Sequence, residues 1–201
     1  MAQLRGEDPD GATPLEDEDL DGLIPTFVAT RGDLNLVEQA NIEKATLWAF
    51  RGRSVADVSE LLSVRFANAL HRRMFGDVWR WAGRQRTHET NIGVAAHRII
   101  TEMTLLFDDA LYWHERETYE RAERAVRIHH RLVSIHPYRN GNGRHARLAA
   151  DLYLHLLDEP RLTWGAGRDL VVDSDTRKAY IAALRAADGG DVQPLLAFAL
   201  K

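Results

Sequence analysis

Helical periodicity extends over almost the whole chain from residue 35 to residue 200, and it constrains the fold more than any other feature. Apolar residues recur at spacings of three and four, and candidate caps separate the segments. Asn35 is the predicted N-cap of the first helix, with Glu38 at the capping-box position. The segments with this pattern cover residues 35–50, 54–76 with a break near Ser63, 96–115, 119–135, 143–157, 174–187 and the C-terminal residues. Roughly seven helices predict an all-α domain.

The N-terminal residues differ from the rest in charge. Residues 1–22 carry a net charge of −7, whereas the whole chain carries −4. An acidic segment that contains glycine and proline is typical of solvated chain. We therefore expect residues 1–34 to form a partly disordered or extended acidic lead, and residues 35–201 to form one helical domain.

Composition excludes several classes of protein. The chain has no cysteine, so disulfides and thiolate metal sites are excluded. No apolar signal region and no run of about 20 apolar residues occurs, which predicts a soluble, cytoplasmic protein without membrane contact. The small positive charge beyond the acidic lead gives no indication of direct nucleic-acid binding.

One region lacks helical periodicity. Residues 81–96 contain two glycines and alternating polar residues. This pattern predicts an exposed extended segment or a small β-hairpin near a functional loop.

A glycine-rich loop joins two apolar helices at residues 136–144, which read HPYRNGNGR. The backbone N–H groups of Gly141, Asn142 and Gly143, together with the start of the next helix, favour an anion. Arg144 and Arg147 lie three residues apart on that helix, where two guanidinium groups suit a polyphosphate.

Two further residues of the loop add chemistry. His136 ends the preceding helix and could accept a proton near neutral pH. Asn140 could offer its side-chain carbonyl to Mg²⁺. The loop therefore predicts a phosphate-transfer site; the alternative from these residues alone is a structural corner between two helices.

The stretch HPYRNGNGRHAR resembles the signature of the Fic family, His-x-Phe-x-Asp/Glu-Gly-Asn-Gly-Arg-x-x-Arg. FGDVWRWAGRQRT, with the NIGV that follows, is similar to the end of a family helix and its β-hairpin flap. YIAALRAADGGDVQPLLAFA is similar to the closing helices. GATPLEDEDLDGLIP and RGDLNLVEQANI also resemble a bacterial subgroup called mobile mystery protein B, found beside a small helix-turn-helix protein.

The resemblance implies a compact helical catalytic domain with a small β-hairpin flap. It implies a protein adenylyltransferase that moves AMP from ATP, with Mg²⁺, to a Ser, Thr or Tyr hydroxyl of a target protein. His136 would be the general base, and Asn140 would contact the metal. The nucleotide-binding residues would be Gly141, Asn142, Gly143, Arg144 and Arg147. The flap would dock the target through Arg86, Thr87, His88, Glu89 and Thr90.

Two residues depart from the family pattern. Tyr138 replaces phenylalanine, a mild change, and Asn140 replaces the acidic metal ligand. A neutral carbonyl binds Mg²⁺ more weakly than a carboxylate. The alternatives are therefore a catalytically silent module that binds a nucleotide or partner, and a transferase of another phosphate-containing group.

Many Fic proteins are repressed by a helix with the pattern Ser/Thr-x-x-x-Glu-Gly/Asn, which has no full match in this chain. Glu38 and Glu43 are candidate replacements for the autoinhibitory glutamate. Glu38 is explained equally well by a capping box with Asn35, and Glu43 by a solvent-facing position. Otherwise repression would come from a separate partner, such as the small helix-turn-helix protein acting as an antitoxin.

Overall fold

A computed structural model of the protein describes residues 17–51, 54–165, 170 and 174–201. The predicted all-α architecture is confirmed. In the described residues the elements follow one another as α1 (Asp17–Leu20), α2 (Arg31–Arg51), α3 (Val58–Leu61), α4 (Val64–Phe75), a 3-10 helix (Ala96–Arg98), α5 (Ile99–Glu115), α6 (Arg121–Ile135), α7 (Asn142–His155), α8 (Asp175–Asp188) and α9 (Gln193–Ala199).

Helices α6 and α7 form the centre of the fold. α7 packs against α6, α4, α2 and α3, and α6 also contacts α5, α8 and α9. Ala125 on α6 and Ala146 and Ala150 on α7 are fully buried, and such small side chains let helices approach closely. The loop between α6 and α7 is the glycine-rich loop of the sequence, so the fold holds that loop from several sides.

The start of α2 differs from the prediction. The helix begins at Arg31, where the Thr30 hydroxyl accepts a hydrogen bond of 3.1 Å from the Asp33 N–H and the Asp33 carboxylate accepts one of 2.9 Å from the Thr30 N–H. This reciprocal pair is the capping box. The predicted N-cap at Asn35 was wrong, and Glu38 is a buried residue inside the helix.

The helix expected to start at residue 54 begins at Val58, and its cap is Asp57. Asp57 and Ser63 each accept a backbone hydrogen bond at the start of α3 and α4. The break expected near Ser63 is thereby confirmed, because Ser63 caps a second helix.

Residues of the predicted acidic lead contact the helical domain. Leu23 pairs with Trp79 in an antiparallel bridge, and Asp19, which is 2% exposed, accepts a hydrogen bond of 3.0 Å from Arg139 in the glycine-rich loop. Residues 1–16 of the lead lie outside the described residues.

Among the described helices, none combines the length and the apolar character that a bilayer crossing requires.

The predicted β-hairpin between residues 81 and 96 is not found, since residues 84–95 contain no paired strands. Instead, the N–H of Arg86 donates to Pro137 O at 2.9 Å and that of Val94 to Ile135 O at 3.2 Å. Both ends of the segment are therefore bonded to the α6–α7 connection. The Arg86 guanidinium donates to the carbonyls of His88 and Val94. In a β-hairpin, the N–H groups of the paired strand would bond to carbonyls of this segment instead.

Candidate active site

His136 ends α6 in a left-handed backbone conformation, with φ of +54°. That conformation costs a non-glycine residue about 1–2 kcal/mol. Two hydrogen bonds from Arg86 hold it in place. The Arg86 Nε donates to the His136 carbonyl at 2.8 Å, and the Arg86 N–H donates to Pro137 O. The strained turn therefore depends on a residue 50 positions earlier in the chain.

The Arg86 side chain is buried, although the sequence placed it on the target-docking flap. The residue is 2% exposed, and its donors are directed to the carbonyls of His136, His88 and Val94. Burial lowers the pKa of the guanidinium, and the Glu89 carboxylate 3.9 Å away acts in the opposite direction. Arg86 is thus placed to hold the flap residues against His136.

The other predicted docking residues lie nearer the surface. Thr87 and Glu89 are exposed, and His88 and Thr90 are half-buried. Glu89 accepts a hydrogen bond of 3.0 Å from the Ala96 N–H, and Thr90 donates to Ile92 O at 2.6 Å.

The His136 imidazole is held neutral at physiological pH. Burial lowers its pKa to about 4, the Arg86 charge acts in the same direction, and a hydrogen bond with the Val133 backbone opposes them. A neutral imidazole can accept a proton. Gly93 passes directly over this side chain, since a Cβ at Gly93 would lie 2.6 Å from the His136 Cβ.

The three residues of the Gly-Asn-Gly sequence have different roles. Gly141 has φ of +78°, and a Cβ there would lie 2.4 Å from the Phe75 ring. The buried Asn142 side chain accepts from the Tyr138 N–H at 2.9 Å and donates to the Tyr138 carbonyl at 2.8 Å. Asn142 therefore shapes the loop through its side chain. Because the side chain is engaged, a phosphate would be bound by the Asn142 backbone N–H.

Gly143 lies close to the side chains of Arg147 and Tyr180. A Cβ at Gly143 would meet Arg147 Nη1 at 3.6 Å and the Tyr180 hydroxyl at 3.8 Å. No described side chain caps the first turn of α7, so the N–H groups of Asn142 and Gly143 remain available to an anion, whereas the Gly141 N–H donates to Asn140.

The two arginines of the loop differ in their surroundings. Arg144 forms a salt bridge of 2.6 Å with Glu38, whose other oxygen accepts a hydrogen bond of 2.6 Å from Trp79 Nε1. Arg147 lies over the Tyr180 ring at 5.6 Å and makes no salt bridge with a described carboxylate. Arg147 also interacts with the Tyr180 hydroxyl, but unlike Arg144 it can bind an anion without first breaking a salt bridge with a described carboxylate.

Asn140 is engaged inside the loop. Its Oδ1 accepts from the Gly141 N–H at 2.6 Å and lies 3.3 Å from Arg144 Nη2. Within the described residues, no group of three or more His, Asp and Glu side chains could hold a metal ion. These residues fit Mg²⁺ only where phosphates and water supply most of the oxygens.

His71 is a site residue that the sequence analysis missed. Its Nδ1 accepts from the Gly83 N–H at 3.0 Å, so its Nε2 carries the proton and donates to the Asn140 carbonyl at 3.1 Å. The ring stacks on Tyr138 at 3.8 Å, and the Tyr138 hydroxyl donates to Asn68 at 3.0 Å. Burial holds the pKa of His71 well below its usual value. A histidine on the apolar face of α4 was the available signal.

Comparison with known proteins agrees with this geometry. Residues 61–154 match the family model described as "Fic/DOC family". Protein adenylyltransferase fic-1 of Caenorhabditis elegans is 30% identical over 140 residues, 66% of this chain and 25% of that protein. Protein adenylyltransferase Fic of Nematostella vectensis is 29% identical over 146 residues, 70% of this chain and 32% of that protein. The chain thus spans about a quarter to a third of these relatives.

Solved structures share the fold. The structure of C. elegans Fic-1 residues 134–508 has a TM-score of 0.62 and 25% identity, and the match covers 90% of this chain and 56% of that one. BepC from Bartonella tribocorum has a TM-score of 0.64 over 91% of this chain and 96% of that one. Its 15% identity supports the fold alone.

Proposed function

Since the chain belongs to the Fic/DOC family, we propose that it transfers AMP from ATP to a Ser, Thr or Tyr hydroxyl of a target protein. The single observation that carries this proposal is the placement of a neutral, buried His136 beside an open helix N-terminus. A base and an anion site are then held by one loop.

The reaction follows from these positions. His136 takes the proton of the target hydroxyl, whose oxygen attacks the α-phosphorus of ATP. The bond from that phosphorus to the β-phosphate oxygen breaks, and pyrophosphate leaves. The N–H groups at the start of α7 bind the α- and β-phosphates, and Arg147 binds the outer phosphates. Mg²⁺, when bound, would neutralise phosphate charge with Asn140 as a protein oxygen ligand.

The exposed residues of the flap would receive the target. Thr87 and Glu89 are exposed on the segment that Arg86 bonds to His136, and a target backbone can bind to an extended segment through its own N–H and carbonyl groups. Arg86 would position the flap from below without touching the target.

Glu38 would restrain the enzyme, because a triphosphate must displace its carboxylate to reach Arg144. The salt bridge is largely buried, with 18% and 4% of the two side chains exposed. Breaking such a pair is costly unless a new anion replaces the carboxylate. We accordingly propose Glu38 as the autoinhibitory residue. A small partner protein remains a proposed second regulator.

Labelled ATP tests the proposed reaction. The protein is incubated with a host lysate and ATP labelled at the α- or the γ-phosphorus, and labelled proteins are identified by mass spectrometry. AMP transfer deposits the α-label only, and transfer of the γ-phosphate deposits the γ-label. Deposition of neither label, with ATP binding retained, would identify a silent nucleotide-binding module.

A histidine variant assigns the base. His136→Ala should abolish α-label deposition and leave ATP binding nearly intact, because the base acts on the target hydroxyl. His97→Ala, at an exposed histidine, is the control and should transfer normally. Full activity of His136→Ala would remove His136 from the reaction.

A further inference from the structure

A groove of about 680 Å³ lies between α2 and α4. Ala45, Ala69 and Gly76 line it with little side-chain volume, which leaves it open. None of the residues proposed to bind nucleotide or target lines this groove, so the proposed reaction leaves it without a role.

The groove carries an excess of positive charge. Lys44, Arg65, Arg72 and Arg73 line it, and Asp77 is the acidic residue among its lining. Arg72 and Arg73 make no salt bridge with a carboxylate of the described chain. Two cations therefore face the groove without an anionic partner.

The other two cations have weak partners. Lys44 pairs with Asp77 at 3.1 Å and Arg65 with Glu60 at 2.8 Å, and in each pair the basic side chain is more than two thirds exposed. Exposed pairs of this kind add little stability, so a ligand carboxylate could replace the partner at small cost.

The spacing of these residues defines an elongated site. Arg65, Ala69, Arg72 and Gly76 follow one face of α4 at steps of four, three and four residues. This face is about 16 Å long at 1.5 Å per residue, the length of about five residues of extended peptide.

The groove also offers apolar and hydrogen-bonding contacts. Trp48 is half-buried in its wall, with the Arg73 guanidinium 5.0 Å from the ring centre. Asn68 accepts from the Tyr138 hydroxyl through Oδ1, and no described group accepts from its amide nitrogen. A peptide carbonyl or carboxylate suits that amide, and an apolar side chain suits Trp48.

We propose that this groove binds an acidic segment of a partner protein. Residues 23–201 carry a net charge of only +3, which the four cations and Asp77 of the groove account for, so a long polyanion such as a nucleic acid would find little net positive surface beyond the groove. A short segment can pair its carboxylates with the four cations and pack an apolar side chain on Trp48. Its contacts are then confined to the groove.

Fluorescence anisotropy with the full chain tests this assignment. The probe is a labelled peptide of about ten residues in which glutamate and leucine alternate, long enough to fill the groove. The control peptide has glutamine in place of glutamate. The acidic probe should bind, and its affinity should fall as the salt concentration increases. Its affinity should exceed that of the glutamine peptide by at least about tenfold.

Charge reversal locates the binding. Arg72→Glu combined with Arg73→Glu should raise the Kd for the acidic probe at least about tenfold. Arg116→Glu is the matched control, because Arg116 is also exposed at the C-terminal end of a helix, and its Kd should stay within about twofold. Lys44→Glu, on α2, is a second variant of the groove should the double variant fold poorly.

Several outcomes would overturn the proposal. Absence of binding by the acidic probe would do so. An equal increase of Kd in the groove variants and in the Arg116 control would also do so. Tighter binding of tripolyphosphate or of a single-stranded oligonucleotide would assign the groove to a different ligand.

Discussion

Glu38 and Arg144 form a salt bridge of 2.6 Å although 106 residues separate them in the chain. Glu38 lies on α2 and Arg144 on the first turn of α7, so the contact fastens the second helix to the glycine-rich loop. Any anion that binds Arg144 must compete with a carboxylate that is already desolvated.

Replacing Glu38 by glutamine should raise AMP incorporation per folded molecule severalfold. The amide keeps an acceptor for Trp79 but loses the charge that holds Arg144. The variant should lose about 1–3 kcal/mol of stability, because Arg144 is left without its anion. ATP should then raise its melting temperature more than that of the natural protein, which calorimetry would measure. Glu43→Gln, exposed on the same helix, is the control. Unchanged incorporation and an unchanged ATP effect would contradict a restraining role.

Replacing Gly93 by alanine should lower kcat/KM for AMP transfer by at least about tenfold. The new Cβ would lie 2.6 Å from the His136 Cβ and 2.7 Å from Arg86 Nη2, and a displaced base loses much of its effect. Gly190→Ala is a matched control. Gly190 has φ of +96° against +107° at Gly93, with no atom within 4 Å of a new Cβ. Gly190→Ala should lose about 1 kcal/mol of stability and no activity. Equal activities of the two variants would show that the close approach to His136 has no catalytic role.

The imidazole of His136 should titrate near pH 4 in the absence of nucleotide, well below the usual value of about 6.5. Burial and the Arg86 charge both disfavour the protonated form, so the base form is present throughout the neutral range. NMR titration of the histidine ring signals would measure this midpoint, with His136→Ala identifying the signal. The lowered pKa also means that protonation favours the unfolded chain. This contribution to stability is present above about pH 6.5 and is lost as the pH falls towards 4. A midpoint above 6 would contradict the proposed environment.

Replacing Asn140 by aspartate should lower the Mg²⁺ concentration needed for half-maximal AMP transfer, because a carboxylate binds Mg²⁺ more strongly than an amide. The same carboxylate would accept from the Gly141 N–H, as the amide oxygen does now. Incorporation of α-label should be measured from low to saturating Mg²⁺, since a carboxylate repels the triphosphate where the metal is scarce. Unchanged or reduced incorporation across the whole range would remove Asn140 from metal binding.

Local signals in the sequence predicted most helices and the position of the glycine-rich loop. The break expected near Ser63 and the helix expected from about residue 174 are both found, and Ser63 and Ser174 cap α4 and α8 through hydrogen bonds three positions along the chain. The start of α2 was placed too late because Asn35 and Glu38 fit the capping-box spacing, whereas the box that forms is Thr30 with Asp33.

Long-range contacts were not predictable in this way. The polar alternation of residues 86–94 suggested a hairpin, but Arg86 supplies donors to that segment from within the core. His71 bridges Gly83 and Asn140, which are distant along the chain. Such partners become visible only when the helices are placed together.

The hydrogen bonds of Arg86 fix the backbone around His136 and do not involve the exposed side chains of the neighbouring segment. The Arg86 guanidinium joins the carbonyl of His136 to the carbonyls of His88 and Val94, while Thr87 and Glu89 are exposed. Substitutions at the outward positions would alter the surface offered to a target and leave the strained turn at His136 undisturbed. Under the proposed function, new targets could therefore be bound by exchanging a few surface residues, while the hydrogen bonds that hold His136 stay the same.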